Sequence, residues 1–362
     1  MSYQISKKRI RRGLQFFTLV SLGSVFVIFL LTHSHMTTEA LKSIEPFWLL
    51  CAIPFIVLDW LGGGYRLYLF SRVFHPAIRF KICVKANLAN YFLGSITPSQ
   101  TGGGPAQIYM LYVGGMPAVE ATSASLMAFF STTFFLIIAG TCMFMFRGSL
   151  PFSGGYLSHL FNIGMIFFLV VAVFMIIALA FPGFYRELSR IIVSIVSHVR
   201  KKDYLRVGSR ANGAIDAIDR CHRQLIHYAR RHFHIFLAGI LVSGVCFISK
   251  FAVAYVIVRS LGIQASFMEV ALLQMTIILI NYFFPTPGAS GAAELSSAAL
   301  MSAIVPKGLI GFYVILWRML STYVSVGVGG GVVLHELGKR EKVEIDDTIA
   351  DDVPEPEAVA AK

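Results

Sequence analysis

Long uncharged runs, separated by short basic clusters, dominate the chain. The clearest runs cover residues 14–31, 121–146, 148–185 and 232–249, and further crossings are predicted at about 47–70 and 307–334. A helix crosses the hydrocarbon core with about 20 apolar residues. Hydrophobic residues make up 56% of the chain and its mean hydropathy is +0.71. This pattern predicts an all-α polytopic membrane protein with about six full transmembrane helices.

The basic residues are unevenly distributed between these runs. They cluster at residues 7–12 and 66–85, and eleven lie within 186–231. Lys and Arg are enriched in the cytoplasmic loops of membrane proteins. These clusters and both termini are therefore predicted to face the cytoplasm. The asymmetry accounts for the net charge of +12, which makes nucleic-acid binding the weaker interpretation.

Two long apolar segments, in which Glu294 is the only charged residue, contain residues that break helices. Residues 86–119 include "TPSQTGGGP", and residues 270–304 include "FFPTPGASGAAE". If residues 86–119 crossed once, the basic segment 186–231 would face outside, against the charge rule. The charge distribution therefore predicts two re-entrant hairpins, the first entering from the cytoplasm and the second from outside.

The two broken segments resemble each other. Asn90-Tyr91-Phe92 recurs as Asn281-Tyr282-Phe283, and Thr97-Pro98 recurs as Thr286-Pro287. With opposite directions of entry, this relation predicts inverted repeats whose broken helices meet near the midplane. Free N–H groups at a half-helix N-terminus suit a phosphate. The glycines at 102–104 are expected to adopt positive φ and expose backbone to a ligand, although tight helix packing explains them as well.

Charged residues inside the apolar runs are candidates for function, because such residues are costly in a bilayer. Lys250 and Arg318 lie far from helix ends, and Glu294 is the simplest partner for either. A purely structural ion pair is the alternative to cations that meet an anionic head group, with Glu294 as counter-ion or proton carrier. Asp59, which lies near Arg66, is assigned to structure.

The segment 186–231 has a different pattern. Apolar residues recur at three- and four-residue spacing between basic ones, as in Ala214, Ile218, Cys221 and Leu225. This is typical of amphipathic helices that lie along a leaflet and contact anionic lipids, and a solvated linker is the alternative. The predicted organisation is a membrane half at 1–185, this basic segment at 186–231, a second membrane half at 232–340 and an acidic disordered tail at 341–362.

The candidate substrate-binding residues gather in the two hairpins and the charged positions. They are Asn90, Thr97, Pro98, Gln100, Thr101, Gly102, Gly103, Gln107, Lys250, Asn281, Pro285, Pro287, Gly288, Gly291, Glu294 and Arg318. No nucleotide-binding loop, nucleophile elbow or metal-ligand spacing is present in the sequence. No cofactor or metal is therefore expected.

The motifs "TPSQTGGGPAQIYML" (97–111) and "PTPGASGAAE" (285–294) resemble the transmembrane region of lysylphosphatidylglycerol synthases and their stand-alone flippase-like relatives. The resemblance extends over nearly all of residues 10–336. Many members carry an acidic residue and an arginine after the first glycines, where this chain has Pro105, Ala106 and Gln107. The resemblance implies movement of a polar or anionic lipid between leaflets. The aminoacyl-transfer domain of the bifunctional members is expected to be missing.

The sequence therefore favours a lipid translocase of the cytoplasmic membrane that is not an enzyme. One alternative is a membrane enzyme, or its accessory subunit, that handles a lipid-linked substrate such as a polyprenyl phosphate sugar. A structural scaffold is another. The expected partners are membrane lipids, and either a homo-oligomer or a separate lipid-modifying enzyme is compatible with the sequence.

Overall fold

A computed structural model describes residues 45–145, 156–180, 204–282 and 284–351, with the single positions 15, 19, 23 and 26. The predicted first crossing at 14–31 and the basic stretch at 186–203 lie almost wholly outside these residues. The described helices are α1 (Pro46–Phe74), α2 (Phe80–Ile96), α3 (Gly103–Val113), α4 (Ala118–Met145), α5 (Tyr156–Ala180), α6 (Tyr204–Arg231), α7 (Phe233–Ser260), α8 (Phe267–Asn281), α9 (Ala292–Met301), α10 (Lys307–Arg318), a π-helix (Met319–Tyr323) and α11 (Val324–Asp351). The described chain is therefore all-α.

Four stretches are long and apolar enough to cross a membrane. They are Pro46–Phe74, Ala118–Cys142, Phe233–Ser260 and Lys307–Lys339. The last runs through α10, the π-helix and the start of α11. The prediction of a multi-pass helical membrane protein is confirmed.

Helices α1 and α7 pack antiparallel along their lengths and form the largest interface of the fold. At one end, the Glu45 N–H donates to the Ser260 carbonyl over 3.0 Å. Towards the other end, the Phe70 ring fills the space above Gly239, where a Cβ would lie 2.3 Å from it. Such close approach of helices is typical of small residues in membranes.

The segment predicted as the first hairpin forms two short helices, α2 and α3, that pack against each other. Residues 97–102 join them and are called the first tip. Ser99 and Gln100 in this tip have φ of 50° and 56°. The glycines behave otherwise: Gly102 has a φ of −77°, and a Cβ on Gly103 would lie 2.6 Å from the Asn90 side chain. The expectation of positive φ at 102–104 is therefore wrong, because Gly102 and Gly103 instead allow the start of α3 to approach α2.

The second broken segment has the same arrangement. Helices α8 and α9 pack together and are joined by residues 282–291, called the second tip. Its turn repeats the first: Gln100 N–H donates to Thr97 C=O over 3.2 Å, and Ala289 N–H donates to Thr286 C=O over 3.0 Å. Positive φ recurs in register, with Gly288 at 58° and Ala289 at 53°. Aligned on Thr-Pro, the two tips therefore share the turn at 97–100 and 286–289, and they diverge where the next helix begins, since Gly102 has a φ of −77° and Gly291 a φ of 86°.

The two tips meet in space. Pro98 and Pro287 form an antiparallel β-bridge, although they are 189 positions apart in the sequence. One hydrophobic cluster surrounds the α2–α3 pair and includes Leu93 and Met110. A second surrounds the α8–α9 pair and includes Leu273 and Met301. The fold therefore places one helical pair in each of two clusters, with the tips in contact between them.

Segments predicted to face the cytoplasm lie together at one end of the described bundle. The Phe74 ring lies 5.5 Å from the Tyr228 ring, which joins the end of α1 to α6. Lys85 near the start of α2 forms an ion pair with Glu336 on α11. This arrangement agrees with a common side for these segments.

Helix α6 lies against the bundle rather than apart from it. Its apolar side chains Cys221, Leu225 and Tyr228 are buried, and the Ser123 hydroxyl on α4 lies 3.3 Å from the Cys221 thiol. Burial raises the pKa of the Cys221 thiol, an effect only partly offset by the hydrogen bond with Ser123. Burial also raises the pKa of the Tyr228 phenol. The protein itself thus covers much of the apolar face that the sequence assigns to a leaflet, while basic residues such as Arg223 stay exposed.

Helix α11 continues beyond the membrane-length segment to Asp351. Residues 341–351, which the sequence assigns to a disordered tail, are therefore helical in the structure. The segment contains Glu341, Lys342, Glu344 and Ala350, which are good helix formers. Residues 352–362 lie outside the described part of the chain.

Candidate functional site

The first tip is exposed where the chain passes from α2 to α3. Pro98, Ser99, Gln100 and Thr101 are all exposed, although the helices on either side of them are largely buried. The three non-glycine residues with positive φ in the described chain are Ser99, Gln100 and Ala289, all in the tips. Such backbone is uncommon outside glycine and is retained where surrounding structure enforces it, often at functional sites.

Side chains in the first tip and in the helices beside it form hydrogen bonds with one another and with nearby backbone. Asn90 Nδ2 donates to Gln107 Oε1 over 2.6 Å, which joins α2 to α3. The Thr97 hydroxyl donates to the Leu93 carbonyl over 2.6 Å and accepts from the Gly102 N–H over 2.8 Å. The Thr101 hydroxyl donates back to the Pro98 carbonyl over 2.9 Å. These bonds fix the shape of the tip.

The second tip and the adjoining end of α8 differ, since several of their polar atoms have no hydrogen-bond partner among the described residues. Asn281 Oδ1, Thr286 Oγ1 and Ser290 Oγ are buried without a hydrogen bond. Burying an unpaired polar atom costs about 1–3 kcal/mol. Unsatisfied groups of this kind are expected where a ligand or water supplies the missing partner. Thr286 and Ser290 are absent from the sequence-predicted set, although the Thr-Pro repeat already marked Thr286 as the counterpart of Thr97.

A fully buried ion pair anchors the second tip. Arg318 Nε lies 2.9 Å from Glu294 Oε1, and the two side chains are 3% and 0% exposed. The other carboxylate oxygen accepts the Gly291 N–H at the start of α9 over 2.7 Å. The guanidinium also reaches the Gly288 carbonyl at 3.4 Å. Since these groups bond to one another, Arg318 and Glu294 hold the tip in place.

A second ion pair lies between α1 and α7. Lys250 Nζ is 2.5 Å from Asp59 Oδ1, and the Tyr91 hydroxyl on α2 donates to Asp59 Oδ2 over 2.9 Å. Lys250 also lies above the Phe247 ring, at 5.3 Å from its centroid. Its side chain is 34% exposed. Lys250 is thus the ion-paired cation in this zone that remains open to a ligand.

The structure therefore shows which carboxylate pairs with each cation, whereas the sequence offered Glu294 as a partner for either. Glu294 pairs with Arg318, and Lys250 pairs with Asp59. Sequence reasoning placed Asp59 with structure and omitted Tyr91 from the site. An isolated carboxylate in an apolar helix was the available signal for Asp59. Glu269 forms a capping box with Ser266 at the start of α8.

The remaining candidates lie around the junction of the tips. Pro285 is exposed and Pro287 is buried at the bridge to Pro98. Tyr282 is also exposed, and its ring packs edge-on against Phe168 of α5 with centroids 5.2 Å apart. Across the described ranges, no three His, Cys, Asp or Glu side chains are placed to hold a metal ion. The site is therefore built from hydroxyls, amides, backbone and one open cation.

Comparison with known proteins agrees with this architecture. Residues 14–329 match the family model described as "Lysylphosphatidylglycerol synthase TM region". The chain is similar to a UPF0104 membrane protein of Archaeoglobus fulgidus, with 27% identity over 334 residues, which cover 90% of this chain and 98% of that protein. These matches connect the protein with membranes and with lipid handling. The chain belongs to the family of the lysylphosphatidylglycerol synthase transmembrane region.

Proposed function

We propose that this protein moves a polar or anionic lipid head group between the leaflets of the cytoplasmic membrane. The observation that carries the proposal is the contact between the two tips, since Pro98 and Pro287 pair although they belong to opposite halves of the chain. Broken helices that meet between inverted repeats form the substrate sites of many transporters.

In this proposal, α2–α3 and α8–α9 are re-entrant hairpins that enter from opposite sides, and about six full crossings surround them. Both termini are cytoplasmic. Non-helical backbone at membrane depth is tolerated where it lines a polar cavity or is buried in protein. The exposed residues 98–101 and the unpartnered polar atoms of the second tip fit such a cavity. The lipid passes the cavity with only its head group inside and is not chemically changed.

The two ion pairs have different roles in this mechanism. Arg318 and Glu294 are sealed and position the second tip. Lys250 is open on one side and attracts the anionic part of the head group, while Asp59 stabilises the cation when the cavity is empty. In a medium of low dielectric constant, this attraction is much stronger than in water.

The proposal is tested by the movement of fluorescent phosphatidylglycerol in liposomes that contain the purified protein, read out by dithionite quenching. We expect wild type to exceed protein-free vesicles, and Lys250→Met to lose at least about tenfold in rate, because a charge-assisted contact is worth about 1.5–3 kcal/mol. Arg259→Gln is the matched control, since Arg259 lies on the same helix and contacts Trp48 at its far end.

Lys250→Met leaves the Asp59 carboxylate without its cation, which could destabilise the protein. The double variant Asp59→Asn with Lys250→Met removes both charges, so a loss of transport that remains in it is not due to an unpaired carboxylate. If no lipid moves faster than in protein-free vesicles, the translocase proposal fails. Chromatography of the lipids after the assay tests the alternative function. Chemically altered lipid would indicate an enzyme.

A further inference from the structure

The side of α6 that faces away from the bundle is basic. The apolar side of this helix is buried against the ends of α1 and α4, through Tyr228 and Cys221. With about 3.6 residues per turn, Arg223 and Arg230 lie on the opposite side of the helix and Arg231 lies on its flank. All three arginines are exposed. Because α6 covers the end of the bundle at which the predicted cytoplasmic segments gather, this basic side is turned away from the membrane-length helices.

The three arginines line one open cavity of about 420 Å³, together with Ile226 and His227. In the part of the chain that the structure describes, none of the three forms an ion pair with a carboxylate, whereas Lys85, Lys250 and Arg318 each do. The cavity therefore carries three positive charges without a counter-charge. Such a surface attracts an acidic partner.

Residues 351–362, called the tail segment, have the complementary charge. Their acidic residues are Asp351, Asp352, Glu355 and Glu357. Lys362 is their only basic residue, so carboxylates exceed cations by three, which matches the three arginines. Pro354 and Pro356 alternate with the two glutamates. Since proline fixes its own φ and favours extended backbone in the residue before it, these carboxylates are presented at a reduced cost in ordering entropy.

The length of the chain allows the tail segment to reach the cavity. Leu337 of α11 packs against the same hydrophobic cluster as Tyr228 of α6. From Leu337, α11 continues to Asp351, a rise of roughly 21 Å. The basic side of α6 lies about one helix diameter, roughly 10 Å, further out than its apolar side, so the return from Asp351 is roughly 11 Å. Glu355 and Glu357 lie about 13–22 Å along an extended chain from Asp351, which covers this return and leaves length for the distance sideways.

We propose that the acidic tail segment folds back and binds across the basic cavity of α6. An anionic membrane surface is the competing partner for a basic helix. An interfacial helix, however, enters the leaflet with its apolar face, and in α6 that face is buried in the protein itself. The tail segment therefore fits the cavity better than a membrane does, and its binding withdraws the three arginines from other anions. This contact does not depend on lipid movement.

Distances between two spin labels, measured by double electron–electron resonance on the full chain in nanodiscs of neutral lipid, test the proposal. In a background without the five native cysteines, the labels are attached at Ala229→Cys, which is exposed on α6, and at Ala358→Cys. We expect a narrow population of short distances. Arg223→Gln, Arg230→Gln and Arg231→Gln together should reduce this population at least about threefold, because three exposed ion pairs are lost and each alone contributes little. Salt at 1 M should act in the same direction, since it screens charges beyond about 3 Å.

A matched control removes the same number of charges elsewhere at the same end of the bundle. Arg72→Gln, Arg79→Gln and Lys81→Gln together, all at exposed positions, should leave the population unchanged. Charge reversal adds a rescue. Glu at positions 223, 230 and 231 should abolish the narrow population, and the further changes Asp352→Lys, Glu355→Lys and Glu357→Lys should restore it.

The possible outcomes separate the tail segment from other partners. The proposal is overturned if the unmodified α6 gives only a broad distribution, if the control variant loses as much of the narrow population as the α6 variant does, or if the second set of charge reversals restores nothing. Binding of the protein to phosphatidylglycerol vesicles shows whether the arginines face a membrane. If their loss weakens this binding but leaves the label distances unchanged, the membrane is the partner and the proposal fails.

Discussion

Arg318→Met is expected to lower the free energy of unfolding by about 3–5 kcal/mol. The substitution leaves the Glu294 carboxylate, which is 0% exposed, without its cation. Removing one partner of a buried pair costs this much because the other charge stays buried and uncompensated. The loss is measured as the shift in unfolding by sodium dodecyl sulfate in mixed micelles, followed by tryptophan fluorescence.

A double variant distinguishes the lost pair from lost packing. Glu294→Gln keeps an oxygen that accepts from the Gly291 N–H, so Glu294→Gln with Arg318→Met removes both charges and retains the cap of α9. We expect the double variant to be more stable than Arg318→Met alone. Lys307→Met, at the exposed start of the same helix, is the control and should change little. A double variant no more stable than the single one would contradict the assigned pair.

Gly329→Ala is expected to cost about 1–3 kcal/mol, the usual range for overpacking. A Cβ at this position would lie 2.3 Å from the Leu88 carbonyl oxygen, which belongs to the backbone of α2 and does not turn aside as a side chain does. The helices α2 and α11 would have to separate. The same unfolding assay measures the cost.

The neighbouring glycines provide a matched control on the same helix. A Cβ at Gly327 or at Gly331 would meet nothing within 4 Å. Alanine is the better helix former by about 0.8–1.0 kcal/mol, so these two substitutions should be neutral or stabilising. Equal effects at positions 327, 329 and 331 would argue against the close packing of α11 on α2.

Local sequence signals predicted the breaks in the helices well. Proline inside a helix removes one backbone hydrogen bond and crowds the preceding turn, so Thr97-Pro98 and Thr286-Pro287, each close to glycines, marked both tips. The mismatch in the sequence repeat lies before these motifs, in the spacing from Asn-Tyr-Phe to Thr-Pro. In the turn that begins at Thr-Pro the two tips have matching φ signs, including the positive φ of Gln100 and Ala289. A short turn is governed by nearby residues, which explains this success.

Local sequence patterns did not predict the contacts between residues that lie far apart in the chain. The contact between Asp59 and Lys250 joins residues 191 positions apart. Lys250 pairs with Asp59 rather than with Glu294 because of the register in which α1 packs against α7. The roles of Gly102 and Gly103 depend on the facing side chains Thr97 and Asn90, which composition does not reveal.

The central claim is that the two tips meet in the path of the lipid, and a reversible lock tests it most directly. Residues paired across an antiparallel bridge have Cα atoms about 4.5–5.5 Å apart, within the range of a disulfide. In a background without the five native cysteines, Pro98→Cys with Pro287→Cys should crosslink on oxidation, as seen by mass spectrometry of the intact chain. The account predicts that the oxidised protein stops moving phosphatidylglycerol in liposomes, that reduction restores movement, and that neither single variant responds. Failure to crosslink, or unchanged lipid movement by fully crosslinked protein, would contradict it.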